Sequence, residues 1–499
     1  MRKKKAIINT CFSLLLELAS VLSGFVIPNI IIRSFGSDIN GLCNSITSFL
    51  GYISILQLGA GSAIKASLYK PLAKKDHDAL NKIVKASSTF FTRIGLAGIL
   101  YMAILFFIFP VFFFPDNGFI FSSSLVVIIG LGTIAQYLLG ITYQMVLEAD
   151  QRSFIYSSAQ IITIILNTIS VVILTRLGCS IQIVKLFSAC FLIIRPIIVG
   201  FYVRRKYNIN LHVKYDSKVL SQRWDGFAHG LAFFIHNKTD VFVLTIFSSM
   251  ANVSVYGVYA TITNGISALI SSIDRAVRAA FGNMIANDEK ENLKKKFSTY
   301  NSFIQTFASV CFATAAITAG KFISIYVKDV TDADYYQPLF AILIITAEMF
   351  YCLRLPYNGI VFAGNRFKDT KVPAIIEAGI NIALSISLVN FFGLIGVAIG
   401  TLSAMIYRTI SFIRFLHKNI LNLDYIGQIK RFAITLSAYA ISVFSLSQID
   451  IKVSNYLTWA IYAGACFIAC AIINVSLNYL FDRTVFKNVI KEILGKKAV

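Results

Sequence analysis

Charge is scarce in this chain, and what there is leans to one sign. Only 14% of the 499 residues are charged while 57% are hydrophobic, which excludes a soluble globular protein, since soluble chains carry about 25% charged residues. No polar stretch approaches the roughly 50 residues below which soluble domains rarely fall. The eight cysteines (Cys11, Cys43, Cys179, Cys190, Cys311, Cys352, Cys466 and Cys470) form no CxxC pair and are scattered through or beside apolar runs. That argues against a zinc or disulfide framework, and they read as small apolar packing residues. No HExxH, P-loop, nucleophile elbow or carboxylate pair on an aqueous loop is present, so nothing points to an enzyme, a metal or a cofactor. Lys and Arg outnumber Asp and Glu by 46 to 24, a formal charge of +22. Even so, no aromatic-interleaved basic segment or zinc knuckle marks a nucleic-acid partner.

Long apolar runs are what the chain does have. A spanning helix needs about 20 mostly apolar residues, and such runs follow one another along nearly all of the sequence. The first, Ala6–Ile32 behind Arg2-Lys3-Lys4-Lys5, mimics a secretory signal. It far exceeds the roughly 7–15 residues of a signal core and lacks a small-residue cleavage site, so it reads as a spanning helix with its basic end inside. Fourteen spans are expected, near 6–32, 40–66, 87–114, 119–145, 153–175, 181–203, 219–247, 255–279, 298–320, 337–362, 373–391, 394–416, 430–448 and 455–480. Alternate loops are basic: Lys70 to Lys85, Arg204 to Arg223, Lys290 to Lys296, Arg366 to Lys371, Lys418 to Arg431, and the tail from Lys487. The opposite loops hold only Arg33, Arg176, Lys328 and Lys452, among several aspartates. This alternation obeys the positive-inside rule and places both termini in the cytoplasm. Most of the net charge then faces anionic lipid headgroups.

The chain also repeats itself. Arg152 and Arg366, Tyr143 and Tyr357, Asn167 and Asn381, Gly178 and Gly393, and Gly41 and Gly257 recur about 214 positions apart. That offset is six helices, an even number, so the halves share an orientation and form a parallel repeat. The expected architecture is all-α, with an N-terminal lobe (1–210, helices 1–6), a C-terminal lobe (211–425, helices 7–12), and two added helices with a cytoplasmic tail (426–499). Transporters of this kind place substrate at the seam between repeats, near the bilayer midplane.

A charge near the bilayer centre costs about 2.5–3.5 kcal/mol on insertion scales, so each one requires a reason. On the seventh span Asp225, His229, His236 and Asp240 fall within a stripe about 60° wide, which either lines a wet, titratable cavity or forms a polar seam between packed helices. Lys238 points away from the stripe. Glu17 lies mid-way along the first span, the repeat counterpart of the seventh; it either pairs across the seam with Lys238 or a histidine, or bonds within its own half. Lys65 corresponds to Arg278, one turn beyond Asp274. These two matched cations near the cytoplasmic mouth suit a dianionic headgroup, with snorkelling to the interface as the plain alternative. Arg195 and Arg408 are a further matched pair, as structural as functional. Glu348 and Arg354 are buried but do not share a face. The glycines of Gly59-Ala60-Gly61 and Gly130-Leu131-Gly132 lie within spans, and Gly396 with Gly400 forms a GxxxG that implies close helix contact.

Three passages carry a resemblance. Leu58-Gly59-Ala60-Gly61-Ser62-Ala63 with Pro71-Leu72-Ala73-Lys74-Lys75-Asp76 resembles the end of helix 2 in the bacterial polysaccharide flippases. Thr239-Asp240-Val241-Phe242-Val243-Leu244 with Val255-Tyr256-Gly257-Val258-Tyr259 is similar to their helix 7–8 passage. Phe392-Gly393-Leu394-Ile395-Gly396 through Thr401 is similar to their helix 11–12 turn. The family belongs to the superfamily that also holds multidrug antiporters and peptidoglycan-precursor flippases. The resemblance implies two lobes in a V around a cationic cavity, in the cytoplasmic membrane of a bacterium. It implies a polyprenyl-diphosphate-linked oligosaccharide as substrate, moved to the outer leaflet for surface polysaccharide, by a monomer that associates with a polysaccharide polymerase. Asp240 and Gly257 carry over by motif. The chain departs from the family in having few cations at the midplane. From the residues themselves, alternating access is expected, with Lys65, Arg278 and Lys238 guiding the head, and Glu17, His229, His236 and Asp240 as carriers of a proton or sodium ion. The alternatives are a drug or organic-cation antiporter on the same scaffold and, less favoured because every outer loop is short, a membrane glycan polymerase.

Overall fold

A computed structural model of the chain describes residues 2–115, 118–214, 227–364, 366, 368–421, 424–449 and 451–483. Among them there is no strand; every regular element is helical. Among the described residues thirteen segments are long and apolar enough to cross a bilayer, and the chain is a multi-pass membrane protein. The expected seventh span corresponds to the helix Phe227–Phe247, which is not among the thirteen. Several of its residues lie outside those whose side chains are described. By contacts the chain divides into two compact units, Met1–Gly257 and Val258–Val499.

In the first unit, α1 (Arg2–Phe35) and α2 (Ser37–Gly51) are followed by a 3-10 turn, Tyr52–Gln57, and then α3 (Ala60–Lys74). The expected continuous helix over 40–66 is therefore broken. Gly59 does not lie within a helix but adopts φ 80 ahead of α3, a left-handed conformation open to glycine without a Cβ penalty. Next come α4 (His77–Ile108) and α5 (Phe119–Ala135). The latter runs through a π turn, Gln136–Gly140, into α6 (Ile141–Ala149). A second hairpin, α7 (Ser153–Arg176) and α8 (Ile181–Tyr207), turns at Gly178 with φ 71. After α9 (Phe227–Phe247) the long α10 (Met250–Ala286) begins.

Apolar side chains gain little by leaving lipid for protein, so close backbone approach and interhelical hydrogen bonds hold such helices together. Both operate where α2 meets α9 and the start of α10. Gly41 lies against the Met250 carbonyl, where an added Cβ would come within 1.8 Å of the oxygen. Asn40 donates to Ser254 Oγ at 2.8 Å, and Ser45 and Thr245 share a hydrogen bond of 2.8 Å. Phe49 packs on Phe242 and Tyr52 on Phe234, at 5.0 and 4.8 Å between ring centroids. By contrast, α1 and α7 pack on each other with only 11% and 6% of their apolar windows buried.

The second unit holds the remainder of α10, then α11 (Lys290–Tyr326), α12 (Pro338–Leu353), α13 (Leu355–Ala363), α14 (Lys371–Phe392), α15 (Leu394–Asn419), α16 (Tyr425–Ser447) and α17 (Tyr456–Phe481). Its most buried span is α11, against which α12, α16 and α17 pack. Asn301, Tyr357 and Gln428 stitch α11, α13 and α16 together through bonds of 2.8–3.1 Å. The α14–α15 hairpin turns at Gly393 with φ 54, the repeat counterpart of Gly178. A Cβ at Gly396 or Gly400 would lie 2.4 Å from Leu388 O or Ser385 Oγ, so the GxxxG does mark close helix contact.

Candidate functional site

Ionisable groups inside the spanning helices form one set per unit. In the first, the π turn of α5–α6 presents Gln136, whose Oε1 accepts from Arg195 Nη2 of α8 at 2.8 Å and whose Nε2 donates to Leu192 O at 2.7 Å. The Arg195 guanidinium also lies over the Tyr156 ring at 5.4 Å, and its buried Nε has no hydrogen-bond partner. Further along α6, Glu148 accepts from Gln144 at 2.8 Å and pairs with Lys65 of α3 at 2.9 Å. At the end of α6, Asp150 accepts from Tyr207 at 2.6 Å and pairs with Arg152 at 2.7 Å. There α1 is anchored: Lys5 and Asn9 donate to the carbonyls of Asp150 and Gln151, and Asn9 accepts from Phe154 N.

On α9, Asp240 is 1% exposed and accepts from Tyr256 Oη at 3.0 Å. Lys238 is half-buried with its stem against Gly51, where an added Cβ would lie 3.5 Å from Cε. Asp225 lies outside the described residues, as do the side chains of His229 and His236. Glu17 is half-buried on α1; among the described residues it makes neither a hydrogen bond nor an ion pair.

In the second unit, Asp274 accepts from Arg278 Nη2 at 2.5 Å along α10 and from Tyr300 Oη of α11 at 3.1 Å. Ser267 donates to Glu348 at 2.8 Å. Where α12 gives way to α13, Arg354 donates to Glu377 Oε1 of α14 at 2.5 Å. Arg408 of α15 faces the other oxygen of Glu377 at 3.3 Å and donates to Thr370 O at 3.1 Å. Two guanidiniums thus share one carboxylate, with all three side chains at most 8% exposed.

Of the residues singled out from sequence, Lys65 and Arg278 are each held by a carboxylate of their own unit, and Lys238 and Asp240 share a helix. Sequence reasoning passed over Glu148, Glu377, Tyr300 and Gln136. For Glu377 a signal existed: an acidic residue inside an apolar run, in a half that carries two buried arginines. Among the described residues, no group of three or more His, Cys, Asp or Glu could hold a metal ion.

No protein-family model matches the chain, and no curated protein matches it in sequence. Solved structures do match in three dimensions. A lipid II flippase, MurJ, in an inward closed conformation gives a TM-score of 0.73 at 16% identity, over 94% of this chain and 98% of its own. A Vibrio cholerae MATE transporter, VcmN, gives 0.58 at 13% identity, over 85% and 98%. A eukaryotic MATE transporter gives 0.56 at 12%, over 87% and 98%. At these identities the likeness establishes the fold alone, which is that of the MurJ flippase and the MATE transporters.

Proposed function

We propose that this protein is a flippase that carries a polyprenyl-diphosphate-linked oligosaccharide from the cytoplasmic to the outer leaflet of a bacterial membrane by ion-coupled alternating access. The observation that carries the reading is the superposition of 94% of the chain on a lipid flippase. The ionisable groups inside the spanning helices support it, because a charge held at that depth needs water or a partner. In this reading the lobes are 1–210 and 211–425, and the basic loops set both termini in the cytoplasm. Lys65 and Arg278 meet the diphosphate at the cytoplasmic mouth, while the prenyl chain stays in lipid. Glu17, His229, His236 and Asp240 are the candidate carriers of the coupling ion, a proton or sodium. In purified vesicles the protein is expected to flip a fluorescent lipid-linked glycan. Absence of flipping would end the reading, and a wild-type rate from Glu17→Ala with His236→Ala would remove those two as carriers.

A second reading, a drug or organic-cation antiporter, is favoured by the MATE likenesses and by the buried carboxylate of Asp240. Cation efflux that needs Asp240, from a protein inert toward lipid-linked glycans, would decide for it.

A further inference from the structure

The cations at the two repeat-matched positions differ in how their counter-ions are housed. Lys65 and Glu148 are 38% and 29% exposed, so water solvates either charge when the pair opens. The Arg278 side chain is 31% exposed, but that of Asp274 only 2%. Asp274 is held by Arg278 of its own helix and Tyr300 of α11 and backs onto the bare Cα side of Gly359 on α13, where an added Cβ would lie 3.4 Å from its Oδ1; Arg275 of its own helix and Tyr351 of α12 are close enough to act on its charge. The arginine can be reached from outside; its partner cannot. The exposed part of Arg278 is the approach for an anion, since its Nε is buried against α13 and makes no hydrogen bond among the described residues, and a guanidinium can grip two oxygens of a phosphate at once.

We infer that Asp274 is a counter-ion that an incoming anionic headgroup must displace from Arg278, and that the displaced carboxylate takes up a proton from the entry side, so headgroup entry and proton uptake form one step. Removing one partner of a buried ion pair leaves an uncompensated charge, the costly state of such pairs. Here the enclosure bars water from relieving it, and a proton on the carboxylate abolishes the charge. The balance is simple: diphosphate oxygens replace the carboxylate on the guanidinium, and one proton from solution bonds to an Asp274 oxygen. Release of the head lets the carboxylate re-pair and the proton leave. Tyr300 positions the carboxylate in both states, its hydroxyl donating to the ionised form and accepting from the acid. This inference rests on the flippase reading, and it locates coupling on Asp274, apart from Glu17 and the helix 7 histidines.

Calorimetric titration of the purified full-length protein with inorganic pyrophosphate, at neutral pH in buffers of different ionisation enthalpy, counts the protons taken up per anion bound. Wild-type protein is expected to take up about one proton more than Asp274→Asn, the variant meanwhile binding about tenfold tighter because one charge-assisted competitor is gone. Glu148→Gln should keep the wild-type proton count. If Asp274→Asn gives no folded protein, Asp274→Ser replaces it; with the carboxylate gone and Arg278 kept, the extra proton should vanish. Binding with equal proton counts in wild type and variant, or no pyrophosphate binding by wild type, overturns the inference. The vesicle assay separates the two claims: flipping without the proton difference leaves the flippase and removes Asp274 from coupling, whereas the proton difference without flipping does the reverse.

Discussion

The two units break the same helix at the same place and neutralise it differently. In the first the interruption is the π turn Gln136–Gly140; in the second it is the junction at Arg354 between α12 and α13. These lie one repeat length apart; Arg195 of the sixth helix grips the first directly through Gln136, whereas its counterpart Arg408 reaches the second only through Glu377, the carboxylate that also holds Arg354. Arg195 has an amide oxygen, an aromatic face and an unsatisfied Nε. Arg408 has Glu377, which it shares with Arg354. The position of Glu377 falls, one repeat earlier, on Thr163. Duplication has kept the irregular backbone and the cation that pins it, while the counter-charge has diverged. The second unit therefore holds its break with a buried ion cluster, and the first holds it with a hydrogen bond from a guanidinium to a neutral amide.

The sharpest way to break this comparison is Glu377→Ala. It leaves two buried guanidiniums facing each other without a carboxylate, and removing one member of a buried ion cluster costs about 3–5 kcal/mol. A large fall in unfolding temperature in detergent is expected, partly restored by adding Arg408→Met. An unchanged melting temperature would show that Glu377 is not the keystone of that junction.

Another matched pair tests backbone approach. Gly41 faces a main-chain oxygen at 1.8 Å from where a Cβ would be, whereas Gly257 faces the Nδ2 of Asn44 at 2.8 Å. A side-chain amide can swing aside, but a carbonyl at a helix start cannot. Gly41→Ala is expected to cost about 1–3 kcal/mol, in the range of overpacked sites, and Gly257→Ala less than about 1 kcal/mol. Cross-linking between cysteines placed at Asn40 and Ser254, which share a hydrogen bond, should slow in the first variant and persist in the second. Equal rates in both would mean that α2 yields without loss.

Much of this was legible beforehand, for identifiable reasons. Spans and repeat show in the sequence because apolar length and glycines at helix turns, Gly178 and Gly393 among them, are local features. The GxxxG contact of α15 is equally local. The break at Gly59 was missed because a left-handed glycine inside an apolar run differs from a helical one only in backbone angle. Glu377 was missed because its partners arrive from 23 residues before it and from the α15 hairpin partner, and no one-helix stripe can show that. Lys65 and Arg278 stand out in the sequence as repeat-matched cations; that each is met by a carboxylate depends on Glu148, on another helix, and on the burial of Asp274.

A smaller effect is expected where the first unit lacks a counter-charge. Arg195→Met removes a buried cation that no carboxylate among the described residues neutralises, and replacing buried ionic groups by apolar ones of similar size is often neutral or stabilising. The stability change should stay within about 1 kcal/mol, against the several expected at Glu377. A loss as large as that of Glu377→Ala would show that amide and ring serve the π turn as well as a carboxylate would, and the contrast between the units would dissolve.

The smallest stability effect belongs to Lys65. Its pair with Glu148 is about one-third exposed at each partner, and solvent-exposed ion pairs contribute about 0–1 kcal/mol. Lys65→Met is expected to leave the melting temperature within a degree or two, since about 1 kcal/mol shifts a chain of this size by no more than roughly 2–4 °C. Its flipping rate should nevertheless fall, because the cation offered to the headgroup is gone. The two readouts part only if Lys65 has a role beyond packing. If stability and flipping both stay at wild-type values, Lys65 is a snorkelling lysine with its stem in lipid, and the pairing of Lys65 with Arg278 across the repeat is a relic of duplication. If flipping alone falls, Lys65 offers a cation to the anionic head, and its solvated partner Glu148, unlike the enclosed Asp274, lets it do so without taking up a proton.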